Sequence, residues 1–304
     1  MRKKLLFFVN PNAGHAEIRT NLMEVLQIFS DAGYEPTVHM TSGPRDITRQ
    51  IAARGQEFDL IACTGGDGTL NEAVSGLMQL SAPPPLGYIP GGTVNDVAAT
   101  LGLSRDPLQA ARDVVSGRPF AIDIGSFGPD RWFTYVAAFG LFTDVAYATP
   151  QLDKRIWGRL AYLFNGVRAL GDVRPTHVRV RWKDRTEEAD VLVGLVCSTT
   201  SVGGFRATSK AAQDLGIRLD DGLSEVVLVR DIRNLAELNL AAGKILRQDF
   251  DCEHFITFQT DAAEFEFEQD VSWTLDGEFG GSVRSVTLRN CRQAVQILVP
   301  DGPE

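Results

Sequence analysis

Long apolar segments are missing from the sequence. The first apolar run, residues 5–9, is short and ends at Asn10-Pro11, whereas a membrane-spanning helix needs about 18 such residues. The same run is too short for the apolar core of a signal peptide. The chain is therefore expected to visit a membrane surface at most, and not to span the bilayer.

Cysteine, histidine and surplus positive charge are also scarce. The four cysteines are far apart and form no C-x-x-C pair, and the four histidines show no metal-binding or triad spacing. These patterns argue against a zinc site or a disulfide framework and predict a reducing, cytoplasmic location. The net charge of −9 argues against nucleic acid as a partner, because such a protein needs a basic surface to displace phosphate counterions.

The order of apolar segments predicts two domains of different class. The 304 residues, 44% of them hydrophobic, are enough for two cores. Strand-like and helix-like segments alternate in residues 1–122, which predicts an α/β domain with a parallel sheet. Strand-like segments and charged turns dominate residues 123–293, which predicts an antiparallel, β-rich, sandwich-like domain. The last apolar strand, within residues 294–300, is a candidate to complete the first domain.

The predicted elements follow from apolar spacing and from Gly and Pro punctuation. Strands of the first domain are predicted at residues 5–9, 37–40, 58–63 and 86–89, with helices at 18–29, 44–54, 70–80 and 107–117. Strands of the second are predicted at 120–126, 131–139, 176–183, 189–198, 223–229, 255–258, 263–268, 271–276 and 283–289, with helices at 155–170 and 234–247. The apolar stripe of the helix at 155–170 suits packing on a core or lying on a membrane surface.

A glycine-rich turn, Gly65-Gly66-Asp67-Gly68-Thr69, separates the third predicted strand from a helix. Glycines at such a turn let backbone N–H groups approach a phosphate, and a helix N-terminus favours negative charge. Asp67 adds a carboxylate of the kind that a nucleotide's magnesium needs. The motif matches neither a P-loop nor a dinucleotide-binding turn, and a simple tight turn is the alternative.

Two further loops follow strands of the same predicted sheet. Asn10-Pro11-Asn12-Ala13-Gly14 comes after the first strand, and Pro90-Gly91-Gly92-Thr93 comes after the fourth. The carboxyl ends of parallel strands meet at one edge of a sheet, which is where ligands bind in such folds. Three polar or glycine-rich loops at one edge predict a binding site for a phosphorylated ligand.

These loops resemble those of the diacylglycerol kinase catalytic-domain family, in its branch of bacterial lipid kinases related to diacylglycerol and sphingosine kinases. The resemblance implies an ATP-binding first domain, similar to that of NAD kinases and phosphofructokinases, and a β-rich domain for the lipid acceptor. It also implies ATP and Mg²⁺ as cofactors. The ATP contacts that it implies are Asn10, Pro11, Asn12, Ala13, Gly14, Thr41, Gly65, Gly66, Asp67, Gly68, Thr69, Leu70, Asn71, Glu72 and Thr93.

Asp276-Gly277-Glu278 resembles the acidic D-G-E motif of this family. A kinase has one proton to remove, that of the acceptor hydroxyl, and a carboxylate within hydrogen-bond reach suits that task. Asp276 is the first candidate for the general base, with Glu278 as a magnesium partner or as the base itself. Since Asp-Gly is a strong turn dipeptide, a hairpin turn is the alternative.

A second acidic segment precedes the strand at residues 223–229. The resemblance implies a structural magnesium ion there, held by the side chain of Asp221 and by the backbone carbonyls of Arg218 and Leu223. Oxygen ligands suit such a hard cation, and a turn is again the alternative. With the nucleotide's ion at Asp67, the predicted metal-binding residues are Arg218, Asp221, Leu223 and Asp67.

The predicted function is ATP- and Mg²⁺-dependent phosphorylation of a lipid hydroxyl. The expected partners are a lipid substrate and, transiently, the inner face of the membrane, with no nucleic acid and with a homodimer left open. Where the family often has Pro-x-Ala, this chain has residues 207–211 without proline, a departure at the acceptor side. Two alternatives are a soluble-substrate kinase of the NAD-kinase type and a non-catalytic nucleotide-binding regulator.

Overall fold

The chain divides into two compact units in the computed structural model. One unit comprises Met1–Asp123 together with Gln293–Glu304, and the other comprises Ile124–Arg292. The structure describes residues 2–11, 17–93, 95–140, 175–198, 201–202, 205–206, 219–232, 237, 241, 244 and 253–301. The helix predicted at 155–170 lies outside the described residues. The one predicted at 234–247 is described only at Glu237, Ala241 and Lys244, which are helical.

The first unit is built on a parallel sheet flanked by helices. Its elements are β1 (Lys3–Val9), α1 (Glu17–Asp31), β2 (Tyr34–Met40), α2 (Asp46–Arg54), a 3-10 turn (Gly55–Glu57), β3 (Leu60–Gly65), α3 (Asp67–Leu77), β4 (Leu86–Pro90), α4 (Asp96–Leu101) and α5 (Pro107–Ser116). The strands lie in the order β2-β1-β3-β4, and each neighbouring pair is parallel. The predicted alternation of strands and helices is therefore confirmed.

Apolar runs become central strands of this sheet because both of their faces are covered. The residues of β3 and β4 are buried throughout, as expected for central parallel strands. Phe7 of β1 packs edge-on against Phe29 of α1, with ring centroids 5.3 Å apart. The helix α5 begins where Asp106 accepts hydrogen bonds from the backbone N–H groups of Leu108 and Gln109, a regular N-cap.

The short helix α4 was not predicted. It has six residues and lies between Asn95 and Gly102, both in the left-handed conformation. Six residues contain too few turns for an apolar period to be visible in the sequence. Its N-cap residue, Asn95, contacts Gly92 after β4 and Asp67 at the start of α3.

The second unit is an antiparallel β structure. Its elements are β5 (Arg118–Phe127, beginning in the first unit), β6 (Arg131–Phe133), β7 (Val136–Gly140), β8 (Thr176–Trp182), β9 (Arg185–Cys197), β10 (Ser201–Val202), β11 (Phe205–Arg206), β12 (Ser224–Arg230), β13 (Phe255–Thr260), β14 (Ala262–Leu275) and β15 (Glu278–Val299, ending in the first unit). The strands lie in the order β13-β12-β9-β7-β14-β15, and each neighbouring pair is antiparallel. The predicted fold class, a parallel α/β part followed by an antiparallel β-rich part, is confirmed.

Aromatic packing fills the core of the second unit. Trp273 of β14 is fully buried, and its ring lies 4.6 Å from that of Phe139 and 5.3 Å from that of Phe127. Because a buried aromatic side chain removes a large apolar area from water, these rings contribute much of the stability of the unit.

The last strand of the chain lies in the first unit. Ile297 of β15 pairs in parallel with Leu86 of β4, and the carboxylate of Asp123 accepts a 2.7 Å hydrogen bond from the backbone N–H of Gln293.

Two segments predicted as separate strands, 263–268 and 271–276, form the single strand β14, whose register shifts between Glu266 and Val271.

Among the described residues, no helix has both the length and the apolar character that crossing a membrane requires.

Candidate functional site

Two glycine loops touch backbone to backbone at the carboxyl ends of β3 and β4. The N–H of Gly91 donates a 2.7 Å hydrogen bond to the carbonyl of Gly65. A β-carbon on Gly92 would lie 2.5 Å from the Cα of Gly66, which is closer than real β-carbons approach. A side chain at Gly92 would therefore force the two loops apart, and the glycines of both loops leave the backbone open to a ligand such as a phosphate.

Asn95 fixes the second loop against the first. Its side-chain Oδ1 accepts a 3.0 Å hydrogen bond from Gly92 N, and its Nδ2 donates a 2.7 Å bond to Gly92 O. Its backbone N–H donates to Oδ2 of Asp67 at 3.0 Å. Asp67, at the start of α3, is thus tied to the neighbouring loop.

Tyr88, in β4, contacts both loops through its hydroxyl. Its buried hydroxyl lies 3.0 Å from the carbonyl oxygen of Gly65 and 3.1 Å from Oδ1 of Asn95. Burial and the nearby charge of Asp67 raise the pKa of Tyr88, so the phenol stays protonated and acts as a hydrogen-bond donor. Sequence reasoning missed this role, because a tyrosine within an apolar strand carries no functional signal.

The ends of β1 and β2 lie at the same edge. Nδ2 of Asn10 donates to Oγ1 of Thr69 at 3.3 Å. Thr41 N donates to the carbonyl of Val9 at 3.0 Å, and Oε1 of Glu72 accepts a 2.8 Å bond from Arg45 N. The carboxyl ends of β1, β2, β3 and β4, which the sequence predicts to bind one ligand, are therefore brought together by direct contacts.

The remaining residues of the predicted ATP set have different surroundings. Thr93 is exposed, Asn71 is half-buried, and the side chain of Leu70 is fully buried, so Leu70 can face a ligand only through its backbone. Pro11 is half-buried beside Asn10. Asn12, Ala13 and Gly14 lie outside the described residues.

Asp46 stabilises the loop that carries Thr41. Its Oδ2 lies 3.0 Å from Nε2 of His39 and accepts 2.8 Å hydrogen bonds from the backbone N–H and the hydroxyl of Ser42. The hydrogen bond with His39, followed by that from Ser42 N, lowers the pKa of Asp46 to about 2. The carboxylate is therefore ionised at neutral pH and holds the start of α2 against the end of β2.

The Asp276-Gly277 turn joins β14 to β15. Asp276 is 6% exposed, and its carboxylate accepts hydrogen bonds from Thr134 N and Oγ1, both at 2.7 Å, and from the N–H groups of Tyr135 and Val136, both at 3.0 Å. Burial raises the pKa of Asp276, and these hydrogen bonds oppose that rise. A carboxylate offers about four acceptor positions, and four donors occupy them here.

Glu278, two residues further on, is exposed. The main chain around it is held by the pairing of Leu275 with Glu278 and by a 3.0 Å hydrogen bond from the Tyr135 hydroxyl to the carbonyl of Asp276. The backbone of the turn is thus held by hydrogen bonds, while Glu278 is exposed to solvent. The cage residues Thr134, Tyr135 and Val136 were not predicted, because nothing in their local sequence marks them.

The segment around Asp221, which was predicted to bind a structural metal ion, forms a turn. Oδ1 of Asp221 accepts a 2.9 Å hydrogen bond from Leu223 N, and Gly222 has a positive φ of 83°. Arg218 lies outside the described residues, and the described part of the chain holds no cluster of three or more acidic, histidine or cysteine side chains that could bind a metal. The oxygen donors on hand are Oδ2 of Asp221 and backbone carbonyls, which suit Mg²⁺ or Ca²⁺.

Glycine loops on a parallel sheet, followed by an acidic turn in a β-rich unit, are features of the kinase class that the sequence resembles. Residues 4–127 match the diacylglycerol kinase catalytic domain. The chain belongs to the diacylglycerol kinase catalytic-domain family, which confirms the predicted resemblance.

Similarity to individual relatives extends over the full chain. A diacylglycerol kinase of Bacillus subtilis is 36% identical over 301 residues, which cover 98% of this chain and 97% of that protein. A diacylglycerol kinase of Staphylococcus epidermidis is 33% identical over 306 residues, 99% of this chain and 93% of that protein. The crystal structure of a diacylglycerol kinase from Bacillus anthracis has the same fold, with a TM-score of 0.75 and 20% identity. The match covers 98% of this chain and 97% of that one.

Proposed function

We propose that this protein transfers the γ-phosphoryl group of ATP to the hydroxyl of diacylglycerol. The observation that carries the proposal is 36% identity, over 98% of the chain, to a protein named diacylglycerol kinase. The glycine loops at one sheet edge and the acidic turn supply the groups that this chemistry needs. A lipid substrate also means transient contact with the inner face of the membrane by a cytoplasmic protein. A homodimer stays a prediction that sedimentation would test.

We assign ATP to the unit of Met1–Asp123 and Gln293–Glu304. The contact of Gly66 with Gly92 leaves an edge without side chains, which fits the triphosphate. The ends of the neighbouring strands supply Asn10, Thr41 and Glu72. Asp67 would hold Mg²⁺, whose charge neutralises the phosphates during transfer.

We assign the acceptor to the unit Ile124–Arg292 and the proton transfer to Glu278. Asp276 has its four acceptor positions occupied, so no position is left for a hydroxyl proton. Glu278 is exposed and stands on a turn that Asp276 holds in place. Of the two predicted roles for Glu278, general base is therefore the one we favour, with Asp276 as a positioning residue.

The reaction is tested by incubating the purified protein with labelled ATP, Mg²⁺ and detergent-dispersed diacylglycerol, with NAD as a soluble control. We expect label in a product that extracts into chloroform. Label found only in phosphorylated NAD would favour the soluble kinase. ATP binding without transfer to any acceptor would favour the regulator.

The structural ion is assigned to the Asp221 side chain and the backbone carbonyls of Arg218 and Leu223. Asp221→Asn keeps an oxygen that can accept from Leu223 N, but removes the negative charge that attracts the cation. We expect Mg²⁺ to raise the melting temperature of the wild type more than that of the variant. Equal shifts in both proteins would remove Asp221 from the ligand set.

A further inference from the structure

The indole N–H of Trp273 has no hydrogen-bond partner in the part of the chain that the structure describes. The side chain belongs to β14 and is fully buried. Buried polar groups of folded proteins nearly always have a partner, and a donor left without one costs stability. An unpaired donor at such a position can therefore mark the place where a bound molecule supplies the acceptor.

The surroundings of Trp273 are aromatic. The rings of Phe139, Phe127, Phe265 and Phe267 lie 4.6, 5.3, 5.4 and 6.1 Å from its ring, measured between centroids. A buried water molecule needs about two to four polar partners, which these side chains do not offer. The acceptor that suits this N–H is a single oxygen atom carried by an otherwise apolar molecule.

Trp273 lies on the same face of the sheet as the proposed base, Glu278. Glu278 is paired with Leu275, and Trp273 precedes Leu275 by two residues, so all three side chains project from one face. Diagonal neighbours on one face of an antiparallel pair are about 7–8 Å apart, which is within reach of long side chains. A molecule whose hydroxyl lies at Glu278 can therefore present a nearby oxygen to Trp273.

A groove on the same unit can hold apolar chains. It has a volume of about 600 Å³ and lies between residues 127–131 and residues 281–289 of β15. Its floor is apolar, since Phe127 and Val286 are buried. Its exposed rim carries charges of both signs, on Asp130, Arg131 and Arg289. Because these charges oppose one another, an uncharged molecule with apolar chains suits the groove.

The groove adjoins both Trp273 and the turn of Glu278. Phe127, on its floor, contacts the ring of Trp273. Nη1 of Arg131, on its rim, donates a hydrogen bond to the carbonyl of Gly280, two residues beyond Glu278. Chains that lie in the groove can thus belong to a molecule whose polar end reaches Trp273 and Glu278.

We propose that Trp273 binds the acceptor lipid, with its N–H donating a hydrogen bond to the carbonyl of the ester next to the reacting hydroxyl. In 1,2-diacylglycerol the free hydroxyl and this ester are on neighbouring carbon atoms, so one molecule can meet Glu278 and Trp273 together. The acyl chains lie in the groove, and Phe127 turns aside to admit the ester. The inference rests on the proposed function and explains its substrate, because sphingosine has no ester carbonyl. No bond is made or broken at Trp273.

The test compares two acceptors that differ only in their carbonyl groups. Dioctanoylglycerol carries two esters, whereas dioctylglycerol carries two ethers and the same free hydroxyl. We expect the kcat/KM of the wild type to be about tenfold higher for the diester, the effect of one hydrogen bond to a buried donor. Trp273→Phe removes the N–H and keeps an aromatic ring, and should bring the ratio of the two kcat/KM values close to one.

The ratio separates a lost hydrogen bond from a damaged core, because damage lowers both values alike. Trp182→Phe is the matched control, since Trp182 is buried in the same core and stacks on Phe258, and it should keep the wild-type ratio. If Trp273→Phe does not fold, 3-benzothienylalanine at position 273 keeps the shape of the ring and replaces the N–H with sulfur. A ratio near one in the wild type, an unchanged ratio in the folded Trp273 variant, or a lost preference in Trp182→Phe would overturn the proposal.

Calorimetric binding of the same two lipids in neutral detergent micelles, without ATP, separates this inference from the proposed function. Diester-selective binding that is lost in the Trp273 variant, in a protein that phosphorylates neither lipid, would support the inference and refute the proposed reaction. Phosphorylation of both lipids without any preference for the diester would do the reverse.

Discussion

Asp276 and Glu278 are two residues apart, yet the surroundings of their carboxylates differ, and the different roles proposed for them rest on that difference. Asp276 is buried. It accepts hydrogen bonds from residues 134–136, and its partner Val136 lies 140 residues earlier in the chain. Glu278 is exposed. Because a base needs an acceptor position that a substrate hydroxyl can reach, burial and hydrogen bonding, rather than proximity in sequence, are the grounds for the two roles that we propose.

Glu278→Gln is expected to lower kcat by about 10²- to 10⁴-fold, the usual contribution of general-base catalysis, with ATP affinity and melting temperature unchanged. Glu268→Gln, at another exposed position of the unit, is the matched control. Steady-state kinetics on dispersed diacylglycerol measure the effect. Full activity in Glu278→Gln would exclude Glu278 as the base.

Asp276→Asn is expected to act mainly on stability. The new NH₂ group would face backbone N–H donors, and leaving such buried groups unsatisfied costs about 1–3 kcal/mol. Denaturant unfolding measures the change. If Asp276→Asn unfolded like the wild type but had lost the phosphoryl-transfer activity, Asp276 would act in the reaction itself, and its assignment as a positioning residue would be wrong.

Asp46 predicts a defined pH dependence. Its pKa is about 2 in the folded protein and near 3.9 in an unfolded chain, so its stabilising contribution is complete above about pH 4 and is lost as pH falls toward 2. After allowance for solvent screening, we expect the free energy of unfolding of Asp46→Asn to be about 1 kcal/mol lower than that of the wild type at neutral pH. Unfolding at a series of pH values should show the difference shrinking on acidification, whereas a constant difference would show that Asp46 acts without its charge.

At the scale of elements, the binding edge depends on how closely the β3 and β4 loops approach. Gly66 is the N-cap residue of α3, and a β-carbon on Gly92 would lie 2.5 Å from its Cα. Asn95 then links the loop after β4 to Asp67. The elements that carry the proposed ATP contacts are therefore positioned by each other, in addition to the sheet beneath them.

Gly92→Ala is expected to force these loops apart, because the added β-carbon would lie 2.5 Å from Gly66 Cα and 2.8 Å from Asn95 Oδ1. We expect the affinity for ATP to fall at least about tenfold, equivalent to 1.4 kcal/mol, as measured by calorimetry. Gly43→Ala is the matched control, since nothing lies within 4 Å of a β-carbon there. Equal affinities in wild type and Gly92→Ala would show that the close approach is not needed for binding.

At the scale of the whole molecule, one unit is made from both ends of the chain. The last strand supplies the buried side chains Val295, Ile297 and Val299 and pairs with β4 at Leu86. Without the last strand, the sheet of the first unit would lack a neighbour for β4.

Deleting residues 293–304 is expected to unfold the first unit, because it removes a strand together with its buried apolar area. ATP affinity should be lost, and the helical circular dichroism signal should fall. Ile297→Ala offers a milder test and should cost about 2–5 kcal/mol. ATP binding by the larger deletion would show that β15 is dispensable for this unit.

The sequence by itself determined the local structure and the chemistry of the loops. Apolar runs such as β3 and β4 can be recognised because burial on both faces requires nearly every residue to be apolar. Glycine turns such as Gly65-Gly66 can be recognised because the absence of a side chain is a local property. The parallel and antiparallel halves, and the family resemblance, were therefore predictable.

Only the tertiary structure decided the contacts between residues distant in the chain. It brought Thr134, Tyr135 and Val136 to Asp276, set Asn95 between two loops, and placed Arg131 beside the turn of Glu278. Such contacts depend on strand order and register, which single-residue patterns do not encode, because a hydrogen-bonding side chain looks the same in sequence whether its partner is near or 140 residues away.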